Sequence, residues 1–133
     1  MSTPFDSDVR RYLRAAEQRF AAAESLIRAG FFLESMYLAG YVVECATKAL
    51  ILARTPLSQR VDFRGPQGHN YEELRARLRG TGCVIPADIV RHYRRVSSWS
   101  TDLRYTVNRQ SASTARGFVE SAHGIISWVQ RSI

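Results

Sequence analysis

A chain of 133 residues with 45% hydrophobic and 23% charged side chains has the size and composition of one globular domain, which excludes a disordered segment and a metal- or disulfide-stapled miniature. The formal charge is +7, and 18 of the 19 basic residues are arginine, with Lys48 the one lysine. An arginine-rich domain points to polyanions, because the guanidinium fork matches phosphate, although a solvated basic surface gives the same balance.

No stretch of about 18 apolar residues exists, so a transmembrane helix is excluded and no membrane association is expected. The start has no basic segment leading into an apolar one, so no signal peptide and a cytoplasmic location are expected. Cys45 and Cys83 have neither zinc-site nor disulfide-framework spacing, and His69, His92 and His123 are scattered, so no metal and no cofactor are expected.

In chain order, Val9, Leu13, Ala16, Phe20, Ala23 and Ile27 recur at alternating spacings of four and three and predict a helix from Ser7 to about Ala29, stopped by Gly30. A second helix is predicted from about Phe32 to Arg54, ended by Pro56. It carries two apolar stripes, Met36, Ala39, Val43, Ala46 and Leu50, and Leu38, Val42, Cys45, Ala49 and Leu52, as a helix packed between neighbours should. Between the stripes lie Tyr37, Tyr41, Glu44 and Lys48, and the last two form an i,i+4 pair in the favourable orientation. Residues 55–69 hold two prolines and two glycines and read as a loop. Asn70 with Glu73 makes a capping-box pattern that starts a short third helix, buried through Leu74 and Leu78 and closed by Gly80-Thr81-Gly82. Pro86 opens a short fourth helix with Ile89, Tyr93 and Val96 on one side and Arg91, Arg94 and Arg95 largely opposite. The serine-rich stretch around Ser97–Ser100 reads as a turn. Ala115, Phe118, Ala122, Ile125 and Val129 place a last helix over about Ser113 to Arg131. No alternating β pattern is present. The expectation is an all-α, up-and-down bundle of four to five helices forming a single domain over residues 1–133.

Three segments carry a family resemblance. Residues 29–50 open on Ala29-Gly30, continue through Ala39 and close on Glu44, Lys48 and Ala49, similar to an "A-G-x-x-x-x-A-x-x-x-A" opening that leads to "E-x-x-x-K-A". Gly68-His69-Asn70-Tyr71-Glu72-Glu73-Leu74 is similar to "G-H-D/N-L-x-x-L", and Asp102-Leu103-Arg104-Tyr105 holds an "R-Y" before the last helix. In this order they resemble the HEPN domain family. The resemblance implies a helical bundle, commonly a symmetric dimer with its functional groove at the subunit interface. It also implies nucleotide or RNA binding, often beside a minimal nucleotidyltransferase in toxin–antitoxin or defence systems.

The family's ribonuclease branch carries R-x4–6-H at the start of the last helix. Arg104 matches the arginine, but Arg109, Gln110 and Ser111 stand where the histidine belongs. Without an imidazole at that point the general acid–base group for cleavage is missing. Arg116 and His123 satisfy the spacing further along, on one face of the last helix. The candidate ligand-binding set is therefore Glu44, Lys48, Arg104, Tyr105 and Tyr41, with Arg104, Arg116 and His123 as weak catalytic candidates. Glu44 could clamp the Arg104 guanidinium and leave its outer N–H groups for a phosphate, and Tyr105, Tyr37 or Tyr41 could stack on a base. The same cluster also reads as an ion pair that fixes helix register. His69 reads as a packing or capping residue, and the helix with Arg91, His92, Arg94 and Arg95 reads either as a solvated face or as one that meets a nucleic-acid backbone. A ribonuclease toxin and a non-catalytic interaction subunit remain the alternatives to a nucleotide- or RNA-binding homodimer.

Overall fold

The computed structural model describes residues 7–60, 63, 70–102 and 110–133, with residues 98–102 described by their backbone alone. Among the described residues five α-helices follow one another: α1 (Ser7–Arg28), α2 (Phe32–Arg54), α3 (Tyr71–Gly80), α4 (Ala87–Asp102) and α5 (Ala112–Ser132), with one 3-10 turn at Leu57–Gln59. Among the described residues there is no strand, and the chain is an all-α bundle.

The predicted stripe of α1 is the stripe that packs: Val9, Ala16 and Ala23 are buried, and Leu13, Phe20 and Ile27 lie half-buried against the core. Its end is a Schellman motif. Gly30 takes φ +87°, Phe31 N–H donates to the Leu26 carbonyl at 2.9 Å, and Gly30 N–H donates to Ile27 at 3.1 Å. Only three residues separate α1 from α2, so the chain folds straight back and these two helices form the most extensive pair in the molecule.

α2 packs on all four other helices, and every residue from Val42 to Leu52 is buried, about three turns without a solvent face. By length and mean hydropathy α2 could cross a membrane, although no uninterrupted apolar run exists; here 72% of the qualifying window is buried inside the bundle. α3 starts where the capping pattern places it, with Asn70 Oδ1 accepting from Glu73 N–H at 3.1 Å. The Tyr71 hydroxyl donates to the Gly40 carbonyl at 2.7 Å and pins α3 to α2.

α4 differs from expectation. It does not stop at the serines but runs on to Asp102. Ser97 joins the helix by donating its hydroxyl to the Tyr93 carbonyl at 2.7 Å, one turn back, which removes the competition that normally makes serine a turn former. α5 begins one residue earlier than predicted because Ser111 is its cap, accepting from Thr114 N–H at 3.0 Å.

Candidate functional site

The predicted polar face of α2 grades from open to closed along its length. Tyr37 is half-buried, Tyr41 is 36% exposed, and their rings lie 6.2 Å apart. One turn on, Glu44 and Lys48 are only 7% and 5% exposed. Lys48 Nζ donates to Glu44 Oε2 at 2.9 Å.

What closes this end is aromatic. Tyr12 of α1 and Phe63, beyond the 3-10 turn, meet edge to face at 5.9 Å and 84°. Lys48 Nζ lies 5.8 Å from the Tyr12 ring centre and 5.4 Å from that of Phe63. A buried ammonium is costly unless compensated, and here one carboxylate and two ring faces provide the compensation. The arrangement ties α1, α2 and residue 63 together around one charge. Arg104 and Tyr105 lie outside the described residues, as do His69 and the proposed clamp between Arg104 and Glu44.

Arg116 and His123 are both exposed, two turns apart on α5. The His123 ring stacks on Phe20 of α1 at 5.3 Å and 25°, and its Nε2 lies 3.4 Å from the Ser127 hydroxyl. On α4 the arginines divide as predicted from the apolar side: Arg91, Arg94 and Arg95 are exposed. His92 does not belong with them. It is half-buried between α4 and α5, with Nδ1 3.0 Å from the Ser121 hydroxyl, and Gly124 leaves room for its ring.

Two buried groups are shifted by their surroundings without offering chemistry to a ligand. Burial pushes the Cys45 thiol up, partly opposed by Arg19, and an apolar raised thiol is a poor nucleophile. Burial also pushes the Tyr93 phenol up, partly opposed by the Arg75 charge. Its oxygen lies 2.6 Å from the Thr47 hydroxyl. Thr47 already donates its own proton to the Val43 carbonyl at 2.7 Å, so Tyr93 is the donor.

Among the described residues, two surface hollows are lined by arginines. One, of about 380 Å³, lies between the end of α2, the 3-10 turn and α3; Arg54, Arg60 and Arg77 line it with Thr55, Gln59 and Thr81, against Ile51, Leu52, Pro56 and Phe63. Arg60 donates to the carbonyls of Leu52 (2.8 Å) and Thr55 (3.3 Å), so it also caps the C-terminus of α2. The Arg77 guanidinium sits 5.1 Å from the Phe63 ring centre. The other hollow, of about 400 Å³, runs along the first turns of α1 and is lined by Ser7, Arg10, Arg11, Arg14, Ala15 and Gln18. Among the described residues no carboxylate lines either hollow, and at the edge of the α1 hollow Arg11 pairs with Asp8 at 3.3 Å. Sequence reading singled out neither. Arg10 and Arg14 are one turn apart opposite the apolar stripe and were visible there, whereas Arg54, Arg60 and Arg77 come together only through the fold.

A family model for the HEPN domain matches residues 9–132. The chain is similar in structure to TT1696 from Thermus thermophilus, at a TM-score of 0.75 and 21% identity over 94% of this chain and 98% of that one. It is also similar to ST0689, an archaeal HEPN homologue, at a TM-score of 0.66 and 21% identity over 92% of this chain and 95% of that one. At such identities the likeness shows a shared fold. No curated protein sequence matches the chain.

Proposed function

The chain belongs to the HEPN domain family, and on that footing we propose that it binds nucleotide or RNA. It does so as a cytoplasmic homodimer acting with a partner such as a minimal nucleotidyltransferase, in a toxin–antitoxin or defence setting. The observation that carries the binding reading is the pair of arginine-lined hollows among the described residues. Cationic concavities of this kind raise the local concentration of phosphates, and guanidinium forks hold them. Fluorescence anisotropy with labelled RNA and with labelled mononucleotide at low ionic strength tests this directly. Saturable binding of either supports the reading, and binding of neither refutes it. Light scattering during size exclusion tests the dimer, and co-purification with a minimal nucleotidyltransferase tests the partner.

A second reading, metal-independent RNA cleavage, draws on one observation: Arg116 and His123 are both open to solvent on one helix. It requires RNA cleavage in EDTA that is abolished by His123→Ala and by Arg116→Ala. Cleavage indifferent to both would remove these residues from any such reaction.

A further inference from the structure

The two hollows are not separate features. Arg11 lines the α1 hollow, and its guanidinium lies 5.4 Å from the Tyr12 ring centre. Tyr12 meets Phe63 at 5.9 Å, and Phe63 meets the Arg77 guanidinium at 5.1 Å. Phe63 and Arg77 both line the second hollow. A chain of ring and guanidinium neighbours, each step under 6 Å, therefore joins one arginine-lined hollow to the other across half-buried aromatic rings.

We infer that this track, from Arg10, Arg11 and Arg14 across Tyr12 and Phe63 to Arg77 and Arg54, is a binding surface for single-stranded RNA. The inference rests on the RNA-binding reading above and names its surface. Alternating cations and rings suit a single strand, whose phosphates and base faces are both available. A duplex offers a side-on protein its phosphates but not its π faces. Within the α1 hollow the Arg11 guanidinium is held by Asp8 at 3.3 Å in an exposed pair, which contributes little to stability and which a phosphate can replace. The buried Glu44–Lys48 pair beneath the two rings then holds the middle of the track in shape without touching the strand.

The test uses the full chain and a labelled single-stranded oligoribonucleotide of about 12 nucleotides. Arg14→Ala with Arg54→Ala removes one exposed arginine from each hollow. The dissociation constant should rise about tenfold or more, and the log–log salt slope should flatten by about 0.7 for each phosphate no longer neutralised. Arg91→Ala with Arg94→Ala, on α4 away from the track, should leave both unchanged, and duplex RNA should compete less well than single strand. Binding that the Arg14 and Arg54 changes leave intact, or equal competition by duplex, overturns the track while leaving RNA binding standing. Failure of the unaltered protein to bind any RNA overturns the reading beneath it, and the track with it.

Discussion

Lys48 shows how one side chain can be legible in sequence and still change meaning in the fold. Its spacing from Glu44 announces the pair, and the pair forms at 2.9 Å. Its burial under Tyr12 and Phe63 could not be read, because those rings are distant in sequence and Phe63 stands in a stretch with no periodicity. Truncating one member of a buried pair strands the other, so Lys48→Met should destabilise the protein by about 3–5 kcal/mol, read from urea unfolding. A loss near zero would mean that the pair is solvated. The Tyr93 phenol makes a second case. Tyr93→Phe deletes the donor to Thr47 and should cost about 1 kcal/mol. It should also change the alkaline limb of stability. Both Tyr93 and Cys45 are raised in the fold, so their contribution is intact below the unfolded values, about 10 for a phenol and about 8.5 for a thiol. It is lost as pH rises toward the folded ones. Unfolding measured from pH 7 to 11 should show stability falling above about pH 8.5, and falling less steeply in Tyr93→Phe; an unaltered limb in that variant would contradict the assignment.

Helices α1, α2, α3 and α5 were readable because their buried positions keep the three–four spacing and their ends carry standard signals: Gly30 at a positive φ, Asn70 and Ser111 as caps. The length of α4 was not, since serine favours turns unless its hydroxyl finds a carbonyl within the helix, as Ser97 does with Tyr93. The contact between α4 and α5 was hidden for a related reason: a glycine inside a helical pattern signals close approach without naming the partner. At Gly124 the partner is His92. A Cβ there would stand 2.6 Å from His92 Nε2 and 2.7 Å from Cδ2, so Gly124→Ala should cost about 1–3 kcal/mol through displaced packing. In a His92→Ala background the sign should reverse, with alanine gaining up to about 1 kcal/mol from helix propensity. Thermal or denaturant unfolding of the four proteins in this cycle decides it, and additive effects would remove the contact.

Across the whole molecule, the sequence was most informative about fold and family, because three short segments in the right order span residues 29–105. It was least informative about where the charge acts. Eighteen arginines in a chain of this length make individual spacings uninformative, and Arg54, Arg60 and Arg77 share a hollow only because α3 packs beside the end of α2. The motif arginine Arg104 belongs to the resemblance, whereas the two hollows belong to the tertiary structure, and both have a use in the RNA binding we propose. The most direct measurement is the affinity of the purified protein for single-stranded RNA across a salt series. A track that neutralises about three or more phosphates should give a linear log–log plot with a slope of about −2 or steeper. A flat plot, or no binding at the lowest salt, would contradict it.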